Sequence, residues 1–168
     1  MIALVEPSEK YLESYREAYR DYQTMGIHTY GLTDPDNWNI FEKFENYRCE
    51  QNLKPGRVGA HFYWLVDDEK GYFIGEISIR HRLNDALLLR GGHIGYGVRY
   101  GEWGKGYATK MLDMCLPIAK SLGIERVLIT CDEDNHASAR VMEKNGFQMD
   151  DRVESDAGLT RRYWKTLI

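Results

Sequence analysis

Residues 95–109 read GYGVRYGEWGKGYAT, and the order of residue types there implies a strand, a glycine-rich turn and the start of a helix. Strand-forming residues run up to Arg99, glycines follow at 101, 104 and 106, and Ala108 opens an apolar stripe at helical spacing. Such a turn gathers unpaired backbone N–H groups at the positive end of a helix dipole, which is an arrangement that holds anions. Gly104 and Gly106 lack the Cβ atoms that would keep a phosphate off that backbone. Two nucleotide motifs fail at this place. A Walker loop needs glycine at position 99 and Ser or Thr at 106, where the chain has Arg99 and Gly106. A dinucleotide fingerprint starting at Gly95 needs glycine at position 100, which is Tyr100. The glycines by themselves also fit a turn that binds nothing.

Working outward, Ala108, Met111, Leu112, Cys115, Ile118, Ala119 and Leu122 form one helical stripe that Gly123 closes. Residues 127–131 are a short apolar strand, and Asn135 caps a further helix that stops at Asn145 and Gly146. Residues 147–153 and 161–168 read as a closing strand pair. Upstream, residues 61–66, 72–81 and 93–99 read as three successive antiparallel strands. Before them lie an opening strand at residues 2–5 and a helix that Ser8 can cap, with Tyr11, Tyr15, Ala18, Tyr19 and Tyr22 at helical spacing. That helix ends near Gly26. Asp34-Pro35-Asp36 is expected to start a second helix with Ile40, Phe44 and Tyr47 on one face. The order predicts an α/β (α+β) fold, a mixed and mostly antiparallel central sheet of about seven strands with helices on both faces. Neither repeat nor low-complexity linker interrupts residues 1–168, so one domain is expected.

Composition narrows the function. Lys and Arg number 22 against 26 Asp and Glu, and a formal charge of −4 argues against nucleic-acid binding by bulk electrostatics. No apolar run reaches the roughly 18 residues of a membrane span, and the first residues turn charged too early for a signal peptide. Cys49, Cys115 and Cys131 show no CxxC spacing and the histidines no HxxxH spacing, so neither a metal site nor a disulfide framework is expected. An odd cysteine count suits a reducing cytoplasm.

The segments GHIGYGVRYGEWGKGYATKML and VLITCDEDNHASARVMEKNGF together resemble the coenzyme A-binding half of a GNAT-type N-acetyltransferase, over about residues 72–153. The resemblance implies acetyl-CoA as cosubstrate, with no metal. It implies that the backbone around Val98 receives the pantetheine arm and acetyl carbonyl where two neighbouring strands splay apart. The amides of Trp103, Gly104, Lys105, Gly106, Tyr107, Ala108 and Thr109 would hold the pyrophosphate, and Asn135 and Ser138 match the family's second cofactor-contacting stretch. The family often carries Gln or Arg where this chain has Gly101, a side chain that the backbone cradle does not need. The phosphates call for local cations in an acidic protein, and Arg99, Lys105, Lys110, Arg140 and Lys144 lie on the two segments. Residues 1–60 would form one wall of the acceptor site. There Tyr15, Tyr19, Tyr22, Tyr30, Trp38, Phe41 and Tyr47 accompany many carboxylates, which suits a cationic amine as well as it suits a core stripe with an acidic outer face.

Direct acetyl transfer needs a neutral amine, although an alkyl ammonium has a pKa near 10, so a base is expected to help. His93, at the start of the strand leading to the turn, and Glu76, on the strand before it, are the candidates. Each also fits a structural role. Many family members place a proton-donating tyrosine where this chain has Met142, which cannot donate. Either another group or water then serves, with Tyr96, Tyr107 and Tyr163 as candidate donors, or the thiolate leaves unprotonated. Cys115 and Cys131 read as small core residues. The expected activity is transfer to a primary amine of a small molecule. A peptide or protein amine, a non-catalytic acyl-CoA sensor and a homodimer stay open.

Overall fold

The computed structural model describes residues 1–28 and 31–168. Among them the chain runs β1 (Ile2–Val5), α1 (Leu12–Met25), α2 (Ile40–Cys49), β2 (Ala60–Asp67), β3 (Tyr72–Arg80), α3 (Asp85–Leu89), β4 (Ile94–Val98), α4 (Tyr107–Ser121), β5 (Arg126–Asp132), α5 (His136–Lys144), β6 (Gln148–Ser155) and β7 (Gly158–Thr166). Short 3-10 turns at Glu9–Tyr11 and Tyr100–Glu102 lead into α1 and follow β4. The strands form one sheet in the order β1-β2-β3-β4 and another in the order β5-β7-β6, every adjacent pair antiparallel. The expected mixed α/β architecture is therefore present, with its sheet divided.

Side-chain alternation along β2 and β3, interrupted by a bulge opposite Leu65 and Val66 that leaves Ile74 without a register partner, assigns helices to the two faces of the first sheet. Trp64, Val66 and Phe73 point one way, into a cluster with Tyr11, Tyr15, Ala18 and Tyr22 of the first helical segment and Ile40 and Phe44 of α2. Leu65, Ile74, Ile77 and Ile79 point the other way, toward Met111, Leu112 and Cys115 of α4 and Ala139 and Met142 of α5. β3 is thus buried on both faces, which is why it reads as an almost unbroken apolar run. Each large apolar side chain fully buried there, such as Phe73, contributes about 1.5–3 kcal/mol.

The two sheets meet at one end of β4. Gly92 bridges to Ile129, His93 donates its backbone N–H to the Leu128 carbonyl at 2.8 Å, and beyond that point β4 and β5 are not paired. A side chain at Gly92, whose φ is +62°, would collide with the Leu128 carbonyl oxygen, so glycine is required for the sheets to touch.

Three local expectations need correction. α2 begins at Ile40 with Asn39 as its cap, its side chain accepting from the Glu42 N–H. The Asp34 carboxylate instead accepts from the Asp36 N–H and the Asn37 amide, a local turn that competes with helix initiation. Ser8 makes no side-chain cap. α3, capped by Asn84, is a helix of five residues that the sequence reading does not contain. Among the described residues, no helix is long and apolar enough to cross a membrane.

Candidate active site

β4 and α4 frame the site. Arg99 donates its backbone N–H to Ile74 of β3 at 2.8 Å, and by the alternation of an antiparallel ladder the Val98 N–H and C=O then face away from β3, into the gap toward β5. The Val98 carbonyl accepts from the Tyr22 hydroxyl at 2.6 Å and from the Trp103 indole N–H at 2.7 Å. One strand end is thereby tied to α1 and to the glycine turn at once.

The turn itself is open. Gly104 and Gly106 have φ of +77° and +82°, and a Cβ on either would meet nothing within 4 Å. α4 starts from Gly106 with no side-chain cap and no acidic residue in its first turn, whereas α2, α3 and α5 are each capped by an asparagine. Among the described residues, the amides of residues 104–109 donate to no hydrogen-bond acceptor. Adjacent unpaired N–H groups at a helix N-terminus make a site for an anion. Lys105 is held by Glu102 at 2.9 Å. Arg99 is turned away from the cradle: buried, it bonds Ser14 and the Phe73 carbonyl, lies over the Tyr72 ring and approaches Glu17 and Asp21. Its place as a cation for phosphate is corrected accordingly.

The second stretch is committed to structure. The Asn135 side chain accepts from the Ser138 N–H at 3.1 Å and so caps α5. The Ser138 hydroxyl shares a 2.7 Å hydrogen bond with the Tyr96 hydroxyl, joining α5 to β4. Burial holds the Tyr96 phenol well above the usual tyrosine range. The Asn145 amide donates to the Thr109 carbonyl, fixing the end of α5 to the first turn of α4. Met142 is wholly buried. Tyr107 packs against the core, and Tyr163 donates to Glu143. Burial pushes the Cys115 thiol up to about 12 and that of Cys131 to about 11, so neither is a thiolate near neutrality.

The other face of the first sheet carries Glu76. Its register partner on β4 is Gly97, and Ser78 faces Gly95, so β4 presents no side chain beside either. The Glu76 carboxylate accepts from the Trp64 indole at 2.9 Å and lines a cavity of about 560 Å³ with Ser78, Phe62, Tyr47, Lys43, Arg57, Arg80 and Arg90. His93 lies elsewhere in role. Its Nδ1 accepts the Leu128 N–H at 2.9 Å, and burial, with the charge of Arg80 second, lowers its pKa to about 4. An imidazole whose lone pair is spent on the backbone clasps the two sheets together. The structure therefore separates two candidates that the sequence treats alike.

The aromatic wall is mostly core. Tyr15 and Tyr22 are buried, Tyr15 stacking on Trp64 with centroids 4.8 Å apart, while Trp38 is exposed. Tyr47 reaches the cavity, and Tyr30 lies outside the described residues. The cationic lining was missed, since Lys43, Arg57, Arg80 and Arg90 share no periodicity and come from a helix, a loop, a strand and the residue after α3.

A family model described as an acetyltransferase (GNAT) domain matches residues 2–148. Among solved structures, a GNAT-family acetyltransferase from Bordetella pertussis superposes with a TM-score of 0.70 at 17% identity, over 98% of this chain and 95% of that one. The microcin C7 self-immunity acetyltransferase MccE, in complex with acetyl-CoA and AMP, matches with a TM-score of 0.73 at 18% identity, over 99% and 92%. RimL, a ribosomal alpha-N-protein acetyltransferase in complex with coenzyme A, matches with a TM-score of 0.73 at 15% identity, over 99% and 94%. At these identities the likeness is one of fold.

Proposed function

This chain belongs to the GNAT acetyltransferase family, and we propose that it moves an acetyl group from acetyl-CoA directly to a primary amine of a small molecule in the cytoplasm. The observation that carries the reading is the row of undonated amides at residues 104–109 beside two glycines whose Cβ positions are open. That cradle fits a pyrophosphate, which needs several N–H donors and close backbone approach. Structures of this fold hold acetyl-CoA or coenzyme A, which supports the same ligand here. Acetyl-CoA supplies the activated acyl group.

In this reading Trp103, Gly104, Lys105, Gly106, Tyr107, Ala108 and Thr109 hold the phosphates. Asn135 keeps α5 in place through its cap, and Ser138 contributes from α5, where its hydroxyl meets that of Tyr96 on β4. The Val98 N–H, facing the gap, donates to the acetyl carbonyl and polarises it. Glu76 serves as the base. Its carboxylate, oriented by Trp64, faces the cavity from which the amine arrives and takes the ammonium proton, directly or through water. His93 positions β4 against β5 and does not touch the reacting atoms. The departing thiolate needs no tyrosine donor, because a thiol of ordinary pKa near 8.5 leaves readily as an anion. The cavity volume of about 560 Å³ is within the range of small-molecule sites, which favours a small amine over a polypeptide.

Release of free thiol from acetyl-CoA over a panel of primary amines tests the proposal. Amine-dependent thiol release supports it. Tight acetyl-CoA binding with no thiol release from any amine would favour a non-catalytic acyl-CoA sensor, a reading that draws on the buried Met142.

A further inference from the structure

The Glu76 cavity is positive in a protein that is negative. Against the formal charge of −4 for the whole chain, the cavity lining has, among the described residues, one carboxylate, Glu76, and four cations, Lys43, Arg57, Arg80 and Arg90. Arg90 is paired with Asp132 at 3.0 Å. Arg80 donates to the carbonyls of Gly91 and Gly92, both at 3.0 Å, which fixes its guanidinium at the wall. The other two are not neutralised in this way. Lys43 is half-buried and donates to the Thr33 hydroxyl at 2.6 Å, and it feels both the attraction of Glu76 and the repulsion of Arg57. The Arg57 side chain is exposed on the loop before β2, with neither an ion pair nor a hydrogen bond among the described residues.

We infer that the acceptor amine carries an anionic group, a carboxylate or a phosphate, which lies against Lys43 and Arg57 with Arg80 beside them while the amine faces Glu76. This rests on the reading of the Glu76 cavity as the acceptor site. A purely cationic amine entering this cavity would meet like charges at Lys43 and Arg57 and lose hydration without compensation. An amine that also bears an anion meets a complementary charge at both ends, which orients the nitrogen toward the carboxylate and away from the lysine. Lys43 comes from α2 and Arg57 from the loop that follows it. Neighbouring cations of this kind bind carboxylate and phosphate alike through charge-assisted hydrogen bonds.

Matched amines test the inference: phenethylamine against phenylalanine for the carboxylate, and ethanolamine against phosphoethanolamine for the phosphate. Each is titrated calorimetrically into the protein with coenzyme A present, and each is assayed separately for thiol release from acetyl-CoA. In at least one pair the anion-bearing member is expected to bind at least tenfold more tightly, with a preference that shrinks as salt rises. Arg57→Glu should cost that member at least tenfold more affinity than its neutral mate, and Arg57→Ala should do the same to a smaller degree. Because the Arg57 side chain is exposed and has neither a hydrogen bond nor an ion pair among the described residues, both variants should keep the wild-type unfolding temperature. Equal binding within both pairs, equal losses in the variants, or no binding by any of the four amines overturns the inference. Selective binding without thiol release overturns the transferase reading and leaves the anion preference standing.

Discussion

The hydroxyl of Tyr22 donates to the carbonyl oxygen of Val98 across 2.6 Å, linking positions 76 residues apart. Val98 ends the strand that borders the gap between the sheets, and Tyr22 sits in α1, which packs on the face of the first sheet that carries Trp64 and Phe73. The same carbonyl accepts from Trp103, so one acceptor ties the strand end to both the glycine turn and α1.

Removing that hydroxyl should therefore cost stability and positioning together. Tyr22→Phe leaves Val98 with the Trp103 bond and should lower unfolding stability by about 0.5–1.5 kcal/mol, the usual net worth of one hydrogen bond. Urea denaturation reads the stability, and KM for acetyl-CoA should rise. A variant with wild-type stability and wild-type KM would show that the bond positions nothing.

The cradle is tested at Gly106. Its φ of +82° is one that a β-branched residue adopts only with strain, and the added methyl groups would fill the space in front of the amides. Gly106→Val should weaken acetyl-CoA binding by at least tenfold, and Gly106→Ala by less. Calorimetry with coenzyme A that returned the wild-type affinity for the valine variant would remove the phosphate site from residues 103–109.

Glu76 and His93 should fail in different ways. Glu76→Gln keeps a carbonyl oxygen for the Trp64 indole but cannot take a proton, so kcat/KM should fall roughly 10²-fold with the fold retained. His93→Gln keeps an acceptor for the Leu128 N–H and should hold activity within a few-fold. If the histidine variant loses the larger factor, the assignment of the base is reversed.

His93 should instead govern acid stability. Its pKa falls from 6.5 to about 4 on folding, so between those values the unfolded chain binds more protons than the native one, and stability rises with pH. The stabilisation is complete above pH 6.5 and is lost as pH falls through about 4, a difference on the order of 3 kcal/mol. Denaturation midpoints measured from pH 4 to 7 should show a shallower slope in His93→Gln. Parallel slopes would mean that folding leaves the proton affinity of the imidazole unchanged.

Departure of the thiolate without a proton donor would have its own signature. Tyr96 keeps its proton more firmly than an ordinary tyrosine and is engaged by Ser138, so Tyr96→Phe should leave kcat within about fivefold. The rate at low amine should rise with pH through the ionisation of the base and show no descending limb before about pH 9. A steep fall above pH 8 that Tyr96→Phe abolishes would make Tyr96 the proton donor.

Local rules were enough for most of the elements. Asn135 followed by Ser138, Gly123 after an apolar helical stripe, and the glycines at 104 and 106 each act within a few residues. The failures arose where a side chain had two local options. Asp34 closed its own turn instead of starting α2, and the apolar residues after Asn84 curled into a short helix that no periodicity marks.

By itself, then, the sequence determined the strand–turn–helix that exposes the amides of residues 104–109, because backbone geometry at glycine and a helix N-terminus are properties of contiguous residues. Only the tertiary structure decided where the titratable groups lie and what they touch. Arg99 turned toward Ser14 and Tyr72 instead of the cradle, His93 gave its lone pair to Leu128, and Glu76 came to face Lys43 and Arg57 across one cavity. Those outcomes depend on which strand alternation points into which layer and on which distant charges share a low-dielectric space, and both are set by packing between segments far apart in the chain.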